Sequence, residues 1–394
     1  MDIFTDAAVK FIGENRQTPF FVYLATNTPH TPLQVPEAYA APYLQAGLPE
    51  ETSRVYGMVA NIDENFGKLL AALDRLALSD NTLVIFLSDN GLEILAGGRH
   101  LAGLRGEKTG IYEGGLRVPC FVRWPARWQS PRVIDDITAH IDLMPTLLEA
   151  CGIGAGGLSM DGRSLVPLIE GAPTDWPERT VYFQWHRGNV PDRNRNFAAV
   201  GPRYKLLQNK NKEEEAAGVD FELYDLLNDP GEQRNMAAQH EEVVERMRRE
   251  YEAWFADVSS SRGYPELPAW IGAPQDNPVI LTQQDRRDAA HWGDDTFYPE
   301  AYWPLQVMEA GSYQVTLELF APAPGNGTAV VLMGENRTSA PIVQGAQKIA
   351  LPPLALERGP SRIAGWIEGP DRKRSPHWVR IEHLENTAQS TPSD

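Results

Sequence analysis

Continuous apolar runs alternate with helix-periodic stretches through the first half of the chain. Pro19-Phe20-Phe21-Val22-Tyr23-Leu24-Ala25 is a short unbroken apolar run and predicts a strand buried on both faces. Between residues 50 and 77, Val55, Met58, Val59, Ile62, Phe66, Leu69, Leu70, Leu73 and Leu76 recur at steps of three and four. That spacing places them on one stripe of a long helix. Ser79-Asp80-Asn81 ends the helix, Thr82 to Leu87 predicts a second buried strand, and Val118 to Arg123 a third. Ile137 to Leu148 predicts another helix, stopped at Gly152. Buried strands separated by helices imply an α/β fold over residues 1–174, with a partial, mostly parallel sheet flanked by helices.

The pattern changes near residue 175. Val181-Tyr182-Phe183-Gln184-Trp185, Tyr204-Lys205-Leu206-Leu207 and Phe221-Glu222-Leu223-Tyr224 predict antiparallel strands joined by polar loops, with a turn at Asp229-Pro230-Gly231. Val243, Val244, Met247, Tyr251, Trp254 and Phe255 form the apolar stripe of a helix that packs on those strands, giving a small antiparallel α+β subdomain over 175–258. Residues 259–277, rich in Ser, Gly and Pro, read as a linker. Beyond it, Ser312 to Leu319 alternates with period two, and Thr328–Met333, Gln347–Leu351, Arg362–Ile367 and Trp378–Ile381 repeat that theme between turn residues. These segments predict a β-sandwich-like domain over 278–385, followed by a loose tail at 386–394.

Composition adds bounds rather than identity. A chain of 394 residues, 42% apolar and 23% charged, fits two or three soluble domains. The formal charge of −17 repels phosphate backbones and argues against a nucleic-acid partner. No apolar stretch is long enough to span a membrane, and the start, Met1-Asp2-Ile3-Phe4-Thr5-Asp6, lacks the basic flank and apolar core of a secretory signal. The two cysteines, Cys120 and Cys151, are too few for a disulfide framework and read as structural thiols in apolar surroundings.

Three places carry candidate chemistry. Asp89 and Asn90, in Ser88-Asp89-Asn90-Gly91, follow a predicted buried strand, and their hard oxygens suit Ca²⁺ or Mg²⁺; the same tetrapeptide also suits a plain turn. His30 lies between prolines in Pro29-His30-Thr31-Pro32, where an extended backbone would aim it at the same sheet edge to bind an anion or protonate a leaving group. A hydrogen-bonded loop histidine is the plainer reading. Lys108, within Gly106-Glu107-Lys108-Thr109-Gly110, offers a point charge for an oxyanion among glycines that let the backbone come close. It is not a P-loop, because Glu107 stands where that motif needs Gly. His186 is a weaker candidate for substrate contact, His100 is undecided, and His140 reads as a packed helix-end residue. Metal, cation and acid together suit hydrolysis of a tetrahedral oxyanion ester.

The residues around these candidates resemble the sulfatase family of the alkaline-phosphatase-like superfamily. Pro29-His30-Thr31-Pro32-Leu33 after the apolar run, Ser88-Asp89-Asn90-Gly91, and Lys108 leading to Tyr112-Glu113-Gly114-Gly115-Leu116-Arg117-Val118-Pro119 carry the likeness in order. His140-Ile141-Asp142-Leu143, Asp161-Gly162-Arg163-Ser164, and Leu223-Tyr224-Asp225-Leu226 with Asp229-Pro230-Gly231-Glu232 extend it to about residue 258. The resemblance implies that Asp89 and Asn90 are Ca²⁺ ligands, that Lys108 holds the sulfate and its bridging oxygen, and that His30 faces the leaving group. One departure is Lys108-Thr109-Gly110, where members often have Lys-Gly-Thr or Lys-Gly-Ser.

The family's formylglycine nucleophile arises in Cys/Ser-x-Pro-x-Arg, a pattern this sequence does not contain, and the paired aspartates that complete the metal site have no counterpart in it. The expectation is therefore the carboxyl-terminal part of an arylsulfatase-like enzyme, inactive alone, with an incomplete Ca²⁺ ligand set. Its partners would be a small-molecule or glycan sulfate ester and the amino-terminal segment that carries the nucleophile. The resemblance leaves the compartment open, since full-length members are often periplasmic or secreted. Two alternatives stay open: a phosphate or phosphonate ester hydrolase of the same superfamily, and a glycan-binding remnant in which Trp292, Trp303, Trp366 or Trp378 stacks on sugars.

Overall fold

The computed structural model describes residues 1–93, 101–128, 131–171, 176–186, 190–209, 220–288 and 293–384. His100, Trp292 and the expected tail 386–394 lie outside these residues. The chain forms two compact units, Met1–Trp185 with Arg193–Phe255, and His186–Asp192 with Ala256–Asp394. Among the described residues, no helix is long and apolar enough to cross a membrane.

The first unit opens with α1 (Asp2–Glu14), α2 (Glu37–Gln45) and α3 (Glu50–Arg75). The apolar stripe expected over 50–77 is α3, which buries Val55, Met58, Ala72 and Leu73. β1 (Val84–Leu87) follows, then α4 (Glu113–Leu116), β2 (Cys120–Arg123), α5 (Leu143–Ala150) and α6 (Val166–Glu170). The α/β character is as expected, but strand direction and burial differ. β1 pairs with β2 antiparallel, Leu87 opposite Cys120 and Val84 opposite Arg123. All of β2 is exposed, with Phe121 66% accessible. Apolar runs report a preference for burial and say nothing about strand polarity, so the parallel expectation had no physical support beyond composition. The run Pro19 to Ala25 forms no strand, and Phe21 and Tyr23 are 73% and 82% exposed. A strand needs a hydrogen-bonded neighbour, which sequence composition alone cannot supply.

The first unit continues with an antiparallel sheet in the order β3 (Val181–Gln184), β4 (Phe197–Val200), β5 (Tyr204–Gln208) and β6 (Glu222–Asp225). α7 (Glu241–Arg262) supplies Val244, Met247 and Tyr251 to the cluster with Phe197, Leu206 and Leu223. Phe197 and Tyr251 stack with ring centroids 3.6 Å apart.

The second unit is a two-sheet sandwich. Its strands are β7 (Ala269–Ile271), β8 (Val279–Thr282), β9 (Trp303–Val307), β10 (Gly311–Glu318), β11 (Gly327–Met333) and β12 (Asn336–Ile342). They continue with β13 (Lys348–Ala350), β14 (Leu354–Leu356), β15 (Gly359–Glu368), β16 (Lys373–Arg374) and β17 (Trp378–Leu384). One sheet runs β13-β10-β17-β8 with β14 also on β10, and the other runs β12-β11-β15-β9-β7 with β16 on β15. Period-two alternation sends Tyr313, Val315 and Leu317 of β10 inward to meet Val331, Ile363 and Val379. The stretch 259–277, expected as a linker, instead holds the end of α7 and the edge strand β7, which pairs parallel with β9. Its Pro and Gly residues mark the turns around that strand.

Candidate functional site

Two loops meet where β1 ends. Ser88 extends the β1–β2 ladder by donating its N–H to Pro119 O at 3.3 Å. The chain then turns, with Asn90 N–H donating to Asp89 Oδ1 at 2.9 Å and Asn90 Nδ2 donating to Gly91 O at 2.8 Å. Gly91 N–H reaches Gly115 O at 2.9 Å, and Lys108 N–H reaches Leu92 O at 2.9 Å. These two bonds knit the Asp89–Asn90 loop to the loop that carries Lys108. Glycine is required at the crossing, because a Cβ on Gly91 would overlap Gly114 O.

Lys108 is half-buried and makes no ion pair among the described residues, which leaves its ammonium available to an anion. Asp89 is exposed and Asn90 half-buried. Thr109 sits at φ 69, in the left-handed region. The departure from Lys-Gly seen in the sequence therefore places a β-branched residue where the backbone favours glycine.

A buried polar scaffold fixes the Lys108 loop. Lys205 on β5 is fully buried between two carboxylates, with Nζ 2.9 Å from Glu113 Oε1 and 2.9 Å from Glu232 Oε1. Glu232 also accepts the Glu113 N–H at 2.6 Å. Burial pushes the Glu232 carboxyl above its usual range, against the pull of Lys205. Arg105 lies over the Tyr112 ring at 4.0 Å and donates to Tyr224 Oη at 2.8 Å and to Glu232 O at 3.0 Å. Tyr112 in turn donates to Glu222, and its phenol is pushed up to about 12, chiefly by burial. A second anchor is Asp142, fully buried and paired with Arg179; it also accepts the N–H groups of Ala139 and Arg163 at 2.8 Å each. Burial opposes ionisation there, yet these donors hold the carboxyl below its ordinary value.

The remaining candidates do not join this cluster. His30 is exposed in a turn closed by its own N–H to Asn27 O at 2.9 Å, and its Nδ1 is 2.8 Å from Thr31 O. The segment is turned rather than extended. No hydrogen bond or ion pair among the described residues links His30 to Asp89, Asn90 or Lys108. His186 is exposed beyond β3 and falls within the second unit's segment His186–Asp192, and His140 is exposed. Cys120 and Cys151 are both exposed free thiols, not packed in apolar surroundings.

Among the described residues, no group of three or more His, Cys, Asp or Glu side chains could hold a metal ion. Asp89 and Asn90 are the right kind of donor for Ca²⁺, but two side chains do not make the six to eight oxygens it takes. The residues that sequence reading passed over are the supports. Lys205 looked like an ordinary strand lysine in Tyr-Lys-Leu-Leu, and only the pairing of Glu113 with Glu232 gives it a purpose.

The sulfatase family profile matches residues 1–153, and a second profile, N-sulphoglucosamine sulphohydrolase C-terminal, matches residues 106–256. Steryl-sulfatase of Mus musculus is 32% identical over 270 residues, which is 61% of this chain and 42% of that protein. N-acetylgalactosamine-6-O-sulfatase of Bacteroides thetaiotaomicron is 30% identical over 267 residues, 62% of this chain and 48% of that protein. The chain thus spans less than half the length of these curated relatives. The crystal structure of Ps i-CgsB in complex with k-i-k-neocarrahexaose matches with a TM-score of 0.58 at 28% identity, over 67% of this chain and 56% of that one. Residues 1–256 thus match sulfatase family models, in two overlapping segments.

Proposed function

We propose that the first unit supplies the lysine side of a site that hydrolyses sulfate esters of glycans. By family the chain is a sulfuric ester hydrolase. The observation that carries the reading is the pair of backbone bonds, Gly91 to Gly115 and Lys108 to Leu92, that brings the Asp89–Asn90 turn and the unpaired lysine onto joined loops. An ammonium on that loop stabilises the oxygens of a tetrahedral sulfate and the charge that grows on the bridging oxygen. Asp89 and Asn90 contribute two oxygens toward Ca²⁺, an ion that supplies Lewis-acid polarisation when bound. A glycan substrate is favoured over a steroid by relatives whose names specify a sugar sulfate and a bound carrageenan oligosaccharide. The chain contains no Cys/Ser-x-Pro-x-Arg, so by itself it turns over no sulfate ester.

Equilibrium titration with 4-nitrophenyl sulfate tests the reading. The parent chain binds it in preference to 4-nitrophenyl phosphate, and Lys108→Ala weakens binding roughly ten-fold or more, the size expected for a lost charge-assisted contact. No binding by the parent, or equal binding by the variant, overturns the assignment.

A further inference from the structure

The outer face of the β13-β10-β17-β8 sheet carries one exposed aromatic ring, Trp378, among ion pairs, with the exposed Ile280 of β8 opposite Arg380. Trp378 opens β17 and is 40% exposed, while the next residue, Val379, points into the core. Register sets Trp378 in a row with Thr282 on β8 and Glu318 on β10, and Glu318 in turn lies opposite Lys348 on β13. Glu318 and Lys348 are paired at 2.8 Å. Two residues along the same face, Arg380 is paired with Glu382 at 3.5 Å.

The Trp378 ring does not stand alone. His377 stacks on it with centroids 4.5 Å apart, and Phe320 lies against His377 at 4.2 Å. Phe320 is also a wall of a cavity of about 90 Å³ lined by Pro370, Asp295, Asp371 and Arg374. Arg374 holds the two carboxylates, Asp295 at 3.1 Å and Asp371 at 2.8 Å, so its guanidinium is fixed at the cavity wall. An aromatic run therefore leads from a cavity with an ionic wall to an indole on an open sheet face.

We propose that this surface binds a polysaccharide, with one pyranose ring stacked on Trp378 and a neighbouring unit at the Phe320 cavity. A pyranose has an apolar face of C–H groups and a rim of hydroxyls. The indole suits the face, and the pre-paired charges of Asp371, Arg374 and Asp295 supply donors and acceptors for the rim without leaving an uncompensated charge. A protein partner fits less well, because Trp378 and Ile280 among ion pairs make a small apolar spot rather than the extended patch that such interfaces use. Of the tryptophans singled out in the sequence, Trp303 is buried to 1% in the core, and Trp366 is half-buried beside Phe297 and Lys373. The site lies wholly in the second unit and stands whether or not the first unit hydrolyses sulfate.

Affinity electrophoresis of the full chain through gels containing iota-carrageenan, chondroitin 6-sulfate, or the chemically desulfated form of each tests the proposal. At least one polysaccharide retards the parent, and Trp378→Ala weakens that binding roughly ten-fold, the scale of a lost stacking contact, while Trp378→Phe keeps part of it. The melting temperature falls for Trp378→Ala, whose ring is more than half buried and stacked on His377, and stays near the parent for Trp378→Phe. No retardation by any of the four, or equal binding by Trp378→Ala, would overturn the proposal.

Discussion

The surroundings of Lys108 and the interior of the sandwich are held in place by different means. Around Lys108 buried charge adds to a small apolar cluster of Ile111, Tyr112, Leu207 and Tyr224: Lys205 lies between Glu113 and Glu232, Asp142 lies on Arg179, and the partly exposed Arg105 lies over Tyr112. In the sandwich it is fixed by apolar interdigitation, with Tyr313, Leu317, Val331 and Ile363 each fully buried or nearly so. Apolar cores tolerate small shifts, whereas a buried ion pair loses its value once the geometry slips. An ionic scaffold beside the candidate site ties positional precision to the region where chemistry needs it.

Breaking each scaffold in turn sharpens the contrast. Lys205→Met leaves two carboxylates facing each other in the interior and costs about 3–5 kcal/mol. Leu317→Ala leaves a cavity and costs about 2–5 kcal/mol. Urea unfolding measures both losses, and only the first variant also weakens binding of 4-nitrophenyl sulfate. If Leu317→Ala weakens that binding equally, the division of labour is wrong. A smaller and opposite effect comes from Thr109→Gly. Removing a β-branched side chain at φ 69 stabilises the chain by about 1 kcal/mol after the added freedom of the unfolded state is counted. Unchanged or lower stability would show that the loop carries no strain there.

What could be read from the sequence follows from the same contrast. Helix α3 and strands β10, β11, β15 and β17 were visible because each one's pattern encodes its own solvent face. The run at Pro19–Ala25 forms no strand, and that at Val118–Arg123 forms β2 but stands exposed and antiparallel, because a uniformly apolar segment specifies neither partner nor direction. Short or Pro-bearing strands such as β4, β9 and β12 carried too little pattern to register. At the site, the order of motifs identified the joined loops of Asp89–Asn90 and Lys108. The scaffold beneath them was not legible, since burial of Lys205 depends on carboxylates 92 and 27 positions away along the chain. His30 sat in the right motif, yet among the described residues its turn gives it no hydrogen bond or ion pair with the other candidates.

The central claim is that the Asp89–Asn90 turn and the Lys108 loop are one rigid structure. Amide hydrogen exchange at Gly91 and Lys108 measures it directly. The account predicts that both exchange roughly a hundred-fold or more slowly than an unbonded surface amide, as hydrogen-bonded donors do. Exchange of either amide at the rate of an open loop would contradict it.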